Sequence, residues 1–229
     1  MSENEKLNLP ENGRILIDKP ENMTSFGVVA RVRRVLSKEF GKKVKVGHTG
    51  TLDPFATGLL VLVYGKETKN AMSLMKLDKV YEAEIALGET SSTGDPEGEI
   101  SRNEDFEIPN EGEVLNAISK FTGKIMQIPP AFSAIKIDGK RAYNLARKGE
   151  KVEIPPREVE IYSLDLIEYN FPKLKIRVHV SSGTYIRTLA EDIGRELKTG
   201  AYCSQLRRIK IADYDVKSAK TLADFGIVD

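Results

Sequence analysis

The chain has 229 residues, of which 40% are hydrophobic and 30% charged, with a net charge of +1. That balance supports a packed core and excludes a disordered chain of low hydrophobicity. The single cysteine, Cys203, excludes an internal disulfide and a cysteine-based zinc site, and no apolar run nears the ~20 residues that span a bilayer. The polar amino-terminal stretch, with Glu3, Glu5 and Glu11, does not read as a signal peptide, so the cytoplasm is the default compartment.

In chain order, residues 14–18 read as a short strand ended by Lys19-Pro20. Thr24 or Ser25 can cap a helix on which Val28, Val29, Val32, Val35 and Leu36 share one face, its arginines pointing outward and Gly41 stopping it. Residues 44–46 return as a strand. A loop punctuated by Gly47 and Gly50 follows, then an apolar strand over 58–64, and 68–75 look helical. Tyr81, Ala83, Ile85 and Leu87 alternate with Glu82, Glu84 and Ala86, the period of a half-buried strand. Residues 91–98 are turn-rich and 111–121 read as a helix. Pro129 and Pro130 hold the segment 128–133 extended, ahead of a short helix over 142–147. Strands over 159–169 and 174–181 make a hairpin about 170–173. A helix over 184–197 stops at Gly200, a strand covers 201–211, and 222–227 read as a terminal helix. Strands and helices mix without strict βαβ alternation, which predicts an α+β fold with a mixed sheet.

Charge is segregated. Seven basic residues (Arg31, Arg33, Arg34, Lys38, Lys42, Lys43 and Lys45) stand against Glu39 alone between 31 and 45. Lys136, Lys140, Arg141, Arg147 and Lys148 form a second basic cluster, and acidic residues gather from Asp95 to Glu113. Such segregation can build a positive face that attracts phosphate backbones, although solvated helix faces account for the same pattern.

Two segments can carry chemistry. In Gly-His-Thr-Gly-Thr-Leu-Asp-Pro (47–54), Asp53 precedes a proline and so sits on a stiffened turn ahead of an apolar strand, a mounting that suits a catalytic carboxylate. Turn chemistry alone explains an isolated Asp-Pro equally well. The Gly-Lys-Ser/Thr ending of a Walker loop is absent. His48 can share a site with Asp53, but no further histidine or cysteine lies near enough in sequence to complete a zinc site. In the second segment, 181–194, Arg187 falls in the first turn of a helix, where the dipole favours anions. Another reason for its place is needed, such as a buried carboxylate partner.

Taken in order, these segments resemble the tRNA pseudouridine synthase B (TruB) family. Asp18-Lys19-Pro20 with Met23-Thr24-Ser25 matches its opening motif, and 47–54 with Ala56-Thr57-Gly58 its catalytic motif. Lys79-Val80-Tyr81-Glu82-Ala83 matches a strand with an active-site tyrosine. Ser92-Thr93-Gly94-Asp95, 127–134, Lys136, Gly139 and Arg141-Ala142-Tyr143 also fit. Ser182-Gly183-Thr184-Tyr185-Ile186-Arg187-Thr188-Leu189 matches the closing arginine motif, and Leu206-Arg207-Arg208 the strand after it. The resemblance spans 14–210.

It implies a pseudouridine synthase fold, a mixed central sheet flanked by helices, with an RNA-gripping insertion at about 124–157. The whole of 1–229 then forms one catalytic domain without a complete C-terminal RNA-binding domain of the PUA type. It implies uridine 55 in the T loop of tRNA as target, Asp53 as catalytic carboxylate, Tyr81 stacking on the base and Arg187 pairing with Asp53. His48, Tyr185, Leu206, Lys19 and Asp95 are implied in substrate binding, and Lys136, Arg141 and Arg147 in holding the RNA backbone. The reaction conserves atoms, so no cofactor or metal is expected, and neither is a membrane or an obligate protein partner; a monomer is expected. Asp53 acts on the sugar, by attack at C1′ or as a base at C2′. The rival readings are a non-catalytic tRNA-folding protein on the same scaffold and a guide-dependent synthase related to dyskerin.

Overall fold

A computed structural model of the chain describes residues 9–133, 136–137, 140–142 and 154–227, with only the backbone described at 136, 137, 140 and 141. Its elements are β1 (Gly13–Lys19), α1 (Ser25–Glu39), β2 (Val46–His48), β3 (Thr57–Tyr64), α2 (Ala71–Met75), β4 (Lys79–Leu87), β5 (Glu89–Ser91), β6 (Ile100–Arg102), α3 (Glu111–Ser119), β7 (Gly123–Gln127), β8 (Lys136–Ile137), β9 (Lys140–Arg141), β10 (Arg157–Asn170), β11 (Lys173–Val180), α4 (Ile186–Glu196), β12 (Ala201–Ile211) and β13 (Tyr214–Asp215). The chain folds as two compact units, one built from residues up to Lys79 and from Arg207 onward, the other from Val80–Leu206.

The first unit is organised by β3. Its unbroken apolar run, Leu59 to Val63, is fully buried, as expected of a strand covered on both faces. Leu60, Leu62 and Tyr64 join Ile15 and Ile17 of β1 and Val28, Val29, Val32 and Leu36 of α1 in one cluster, whereas Leu59 and Val61 pack with Ile211 in another. β1 and β2 pair antiparallel with β3, and β12 pairs parallel with it through Arg207↔Thr57 and Arg208↔Gly58, so the sheet is mixed. Thr24 caps α1 by accepting a 2.9 Å hydrogen bond from the Gly27 amide.

Gly58 is required by that parallel crossing. Its φ is +99°, and a Cβ there would lie 2.3 Å from the Arg208 carbonyl oxygen. The three nearest atoms are all Arg208 backbone, so neither strand can yield by turning a side chain. Gly58→Ala is therefore expected to destabilise the protein by about 2–4 kcal/mol, combining backbone strain with overpacking. Urea unfolding should show this as a lowered midpoint with an unchanged slope.

In the second unit the strand order is β12, β4, β11, β10, β7. β10 and β11 form the predicted hairpin, turning at a cis Phe171-Pro172 bond, and β7 pairs antiparallel with the start of β10. Along β11, Leu174, Ile176, Val178 and Val180 are fully buried in strict alternation. α4 buries Ile186, Leu189, Ala190 and Ile193 along one face. β5 with β6, and β8 with β9, are separate two-stranded ribbons.

Some local expectations are corrected. The strand expected at 44–46 begins at Val46, because the Val44 amide is bonded to Ser37 Oγ at the end of α1. Residues 65–70 form a 3-10 turn ahead of the short α2. α4 starts at Ile186 because Tyr185 is extended. The terminal helix reduces to one 3-10 turn, Ala223–Phe225, ended by Gly226 in the left-handed region. The helix expected at 142–147 lies outside the described residues beyond Ala142, as does Arg147. Among the described residues no helix is long and apolar enough to cross a membrane.

Candidate active site

The predicted site residues fall into two sets, Lys19, His48 and Asp53 in the first unit and Tyr81, Asp95, Tyr185, Arg187 and Leu206 in the second. Lys136 and Arg141 pair across the β8–β9 ribbon of the second unit.

Asp53 is half-buried in a loop held from three sides. Ser25, the first residue of α1, accepts from the Leu52 amide and donates to the Leu52 carbonyl, each at 2.8 Å. This one hydroxyl satisfies both backbone groups of the residue before Asp53. The Lys19 ammonium is fully buried and donates to the carbonyls of Pro20, Met23 and Pro54, the last at 3.1 Å, so it holds the residue after Asp53. Arg208, 1% exposed, donates to the carbonyls of Leu59 (2.8 Å), Gly50 (3.1 Å) and Thr51 (3.5 Å). A buried guanidinium with five donors can bridge several carbonyls at once, which a lysine cannot do with the same planar geometry. His48 Nδ1 accepts from the Gly50 amide at 3.3 Å, so the neutral ring carries its proton on Nε2.

Lys79 lies beside this support. Its ammonium donates to the carbonyls of Met75 (2.8 Å) and Leu77. Burial pushes its pKa down to about 8, the Arg208 charge adding to the effect and Asp78 opposing it. Between pH 8 and 10.5 the unfolded chain keeps a proton at Lys79 that the folded protein has released, so this group makes stability rise with pH across that window. Wild type is expected to gain stability relative to Lys79→Met between pH 8 and 10 in parallel urea titrations. A constant difference would refute the assignment.

In the second unit Arg187 and Asp95 form a buried ion pair, Nη1 to Oδ2 at 2.7 Å, with side chains 5% and 3% exposed. Arg187 also donates to the carbonyls of Thr93 (3.0 Å) and Phe132 (2.9 Å). Asp95 accepts from Thr93 Oγ1 (2.6 Å) and the Glu97 amide (3.0 Å). The buried carboxylate partner called for by the position of Arg187 thus includes Asp95. Tyr185 is held by Gln127, 1% exposed, whose amide accepts from the Tyr185 N–H at 2.7 Å and donates to its carbonyl at 2.9 Å. Tyr81 on β4 and Leu206 on β12 are buried.

Ser25, Lys79, Gln127 and Arg208 were not singled out from sequence as supporting groups. For Arg208 a signal existed. It stands two residues from Leu206 on a strand, and both are buried on the same alternation.

The family model for the TruB pseudouridylate synthase N-terminal domain matches residues 33–186, and that for the tRNA pseudouridylate synthase B C-terminal domain matches 187–227. A tRNA pseudouridine synthase B of Phocaeicola vulgatus is 43% identical over 220 residues, covering 96% of this chain and 94% of its own. One from Clostridium tetani is 43% identical over 215 residues, covering 94% and 73%. A chain solved in a Cbf5-Nop10-Gar1 complex superposes with a TM-score of 0.72 at 30% identity over 93% of this chain, which spans 53% of that one. A chain from an H/ACA RNP bound to a substrate RNA containing 2′-deoxyuridine gives 0.67 at 28% identity, over 93% of this chain and 51% of that one. The chain belongs to the TruB family and is a pseudouridine synthase, an isomerase.

Proposed function

We propose that the enzyme isomerises uridine 55 in the T loop of tRNA, with Asp53 as its catalytic carboxylate. The observation that carries this reading is the mounting of Asp53. The residues on both sides of it are pinned through their backbone by Ser25 and Lys19, while Asp53 itself is only half-buried. A group fixed to within a fraction of an ångström and still accessible is what positioning catalysis needs.

In the proposed reaction the N1–C1′ bond breaks, the uracil turns, and C5 bonds to C1′. The C5 proton then leaves to solvent and N1 takes one up, so atoms balance without a co-reactant. Asp53 acts on the ribose. Arg187 is the charge partner that the resemblance implies for it. Tyr81 stacks on the extruded base, an interaction worth about 1–3 kcal/mol, against the few kcal/mol needed to flip a nucleotide. His48, Tyr185 and Leu206 line the nucleotide, and Lys136, Arg141 and Arg147 grip the backbone of the T arm. Lys19 and Asp95 serve the same substrate by holding Asp53 and Arg187. The enzyme acts as a cytoplasmic monomer.

The likeness to a chain of a Cbf5-Nop10-Gar1 complex favours a second reading, a synthase that needs partners or a guide. One experiment separates the two, and also the non-catalytic tRNA-folding reading. The pure protein alone is mixed with an unmodified tRNA transcript tritiated at uridine C5. Stoichiometric tritium release, with the product mapped to position 55, is expected. No release by the protein alone overturns the proposal.

A further inference from the structure

The outer face of α1 is the strongest charged surface the proposed reaction leaves unused. Val28, Val29, Val32 and Leu36 turn one side of the helix into the core. At 3.6 residues per turn, Arg34 falls opposite that side, with Phe26 and Arg33 on one flank of it and Lys38 on the other, and all four are exposed. Lys43 and Lys45, also exposed, extend the basic surface past the helix end. Among the described residues none of these five cations pairs with a carboxylate. Lys42 is bonded to Glu11. The stripe begins at the site itself, because Ser25 is the residue clamped to Leu52, and Phe26, 67% exposed, follows it. From Phe26 to Lys38 it runs about 18 Å along the helix.

An exposed aromatic ring followed by unpaired cations fits RNA better than a protein surface: the ring offers a stacking platform for an unpaired base and the cations follow phosphates. The proposed reaction assigns the T arm to the second basic cluster and leaves the cations of α1 without a stretch of backbone. Resting on the tRNA reading, we propose that the α1 stripe, from Phe26 to Lys45, is a second RNA-binding surface that takes the backbone of the tRNA body outside the T arm.

The test compares full-length tRNA with an isolated T-arm stem-loop. In the triple variant Arg33→Glu, Arg34→Glu, Lys38→Glu, affinity for full-length tRNA should fall about tenfold or more, and the slope of log K against log salt should lose about 2 to 3. Stem-loop affinity should stay within about twofold of wild type, and so should tritium release at saturating tRNA. Phe26→Ala should weaken binding to full-length tRNA without changing the salt slope. All four positions are exposed, so an unchanged unfolding midpoint verifies the fold. Unchanged affinity for full-length tRNA overturns the proposal, and so does an equal loss on the stem-loop. Failure of the tRNA reading shows separately, as no tritium release by wild type on either substrate.

Discussion

Replacing Asp53 by asparagine is expected to lower tritium release from tRNA by a factor on the order of 10³ or more, the scale for losing a nucleophile or base that acts on the reacting atoms. The substitution keeps the side chain's shape. Its backbone neighbours are fixed by Ser25 and Lys19, so the loop should keep its form. Binding of tRNA and the unfolding midpoint should both stay near wild type. That separation is the informative part, because a merely structural aspartate would lower stability and activity together. A rate within about tenfold of wild type, only ~1.4 kcal/mol of barrier, would remove Asp53 from the chemistry.

Removing the guanidinium of Arg187 is expected to cost about 3–5 kcal/mol of stability, the usual scale for breaking a buried ion pair from one side. Arg187→Met strands the Asp95 carboxylate, whose side chain is 3% exposed, beside the neutral Thr93 hydroxyl and Glu97 amide that donate to it. For a chain of this size the loss corresponds to a fall in melting temperature of about 10 °C. Arg187→Lys should recover only part of it. One ammonium has to replace a planar fork that reaches Asp95, the Thr93 carbonyl and the Phe132 carbonyl from two nitrogens. A double variant, Arg187→Met with Asp95→Leu, should be less destabilised than the sum of the two single changes, since neither charge is then left alone. Additive effects would mean that the two residues act independently.

Much of the fold was legible in the sequence because the pattern agreed with the environment at each level. α1 has a threonine cap, a helical apolar period and a glycine stop, and all three are found. β3 is apolar from Leu59 to Val63 and is buried there on both faces. The β10–β11 hairpin followed from two alternating runs. β7 escaped notice because Gly-Lys-Ile-Met-Gln is short and places Met126 outward, 63% exposed, so the alternation carries little contrast. The terminal turn escaped because Asp224 takes hydrogen bonds from the Thr221 hydroxyl and amide, a local closure that competes with a helix. At the candidate site, motif order singled out Asp53 and Arg187 as candidates. Periodicity could not show that Asp95, which reads as an ordinary Asp-Pro turn, lies buried against Arg187, since that contact joins positions 92 residues apart.

Arg208 has a consequence for how the enzyme meets its substrate. Its charge is permanent, it lies away from water, and its hydrogen bonds go to the carbonyls of Gly50, Thr51 and Leu59. Swinging the 50–51 segment aside would leave that charge partly unsolvated, so the loop behaves as a fixed anvil rather than a gate. Under the proposed reaction this loop is then already formed before RNA arrives, and the uridine has to leave its own stack to reach it.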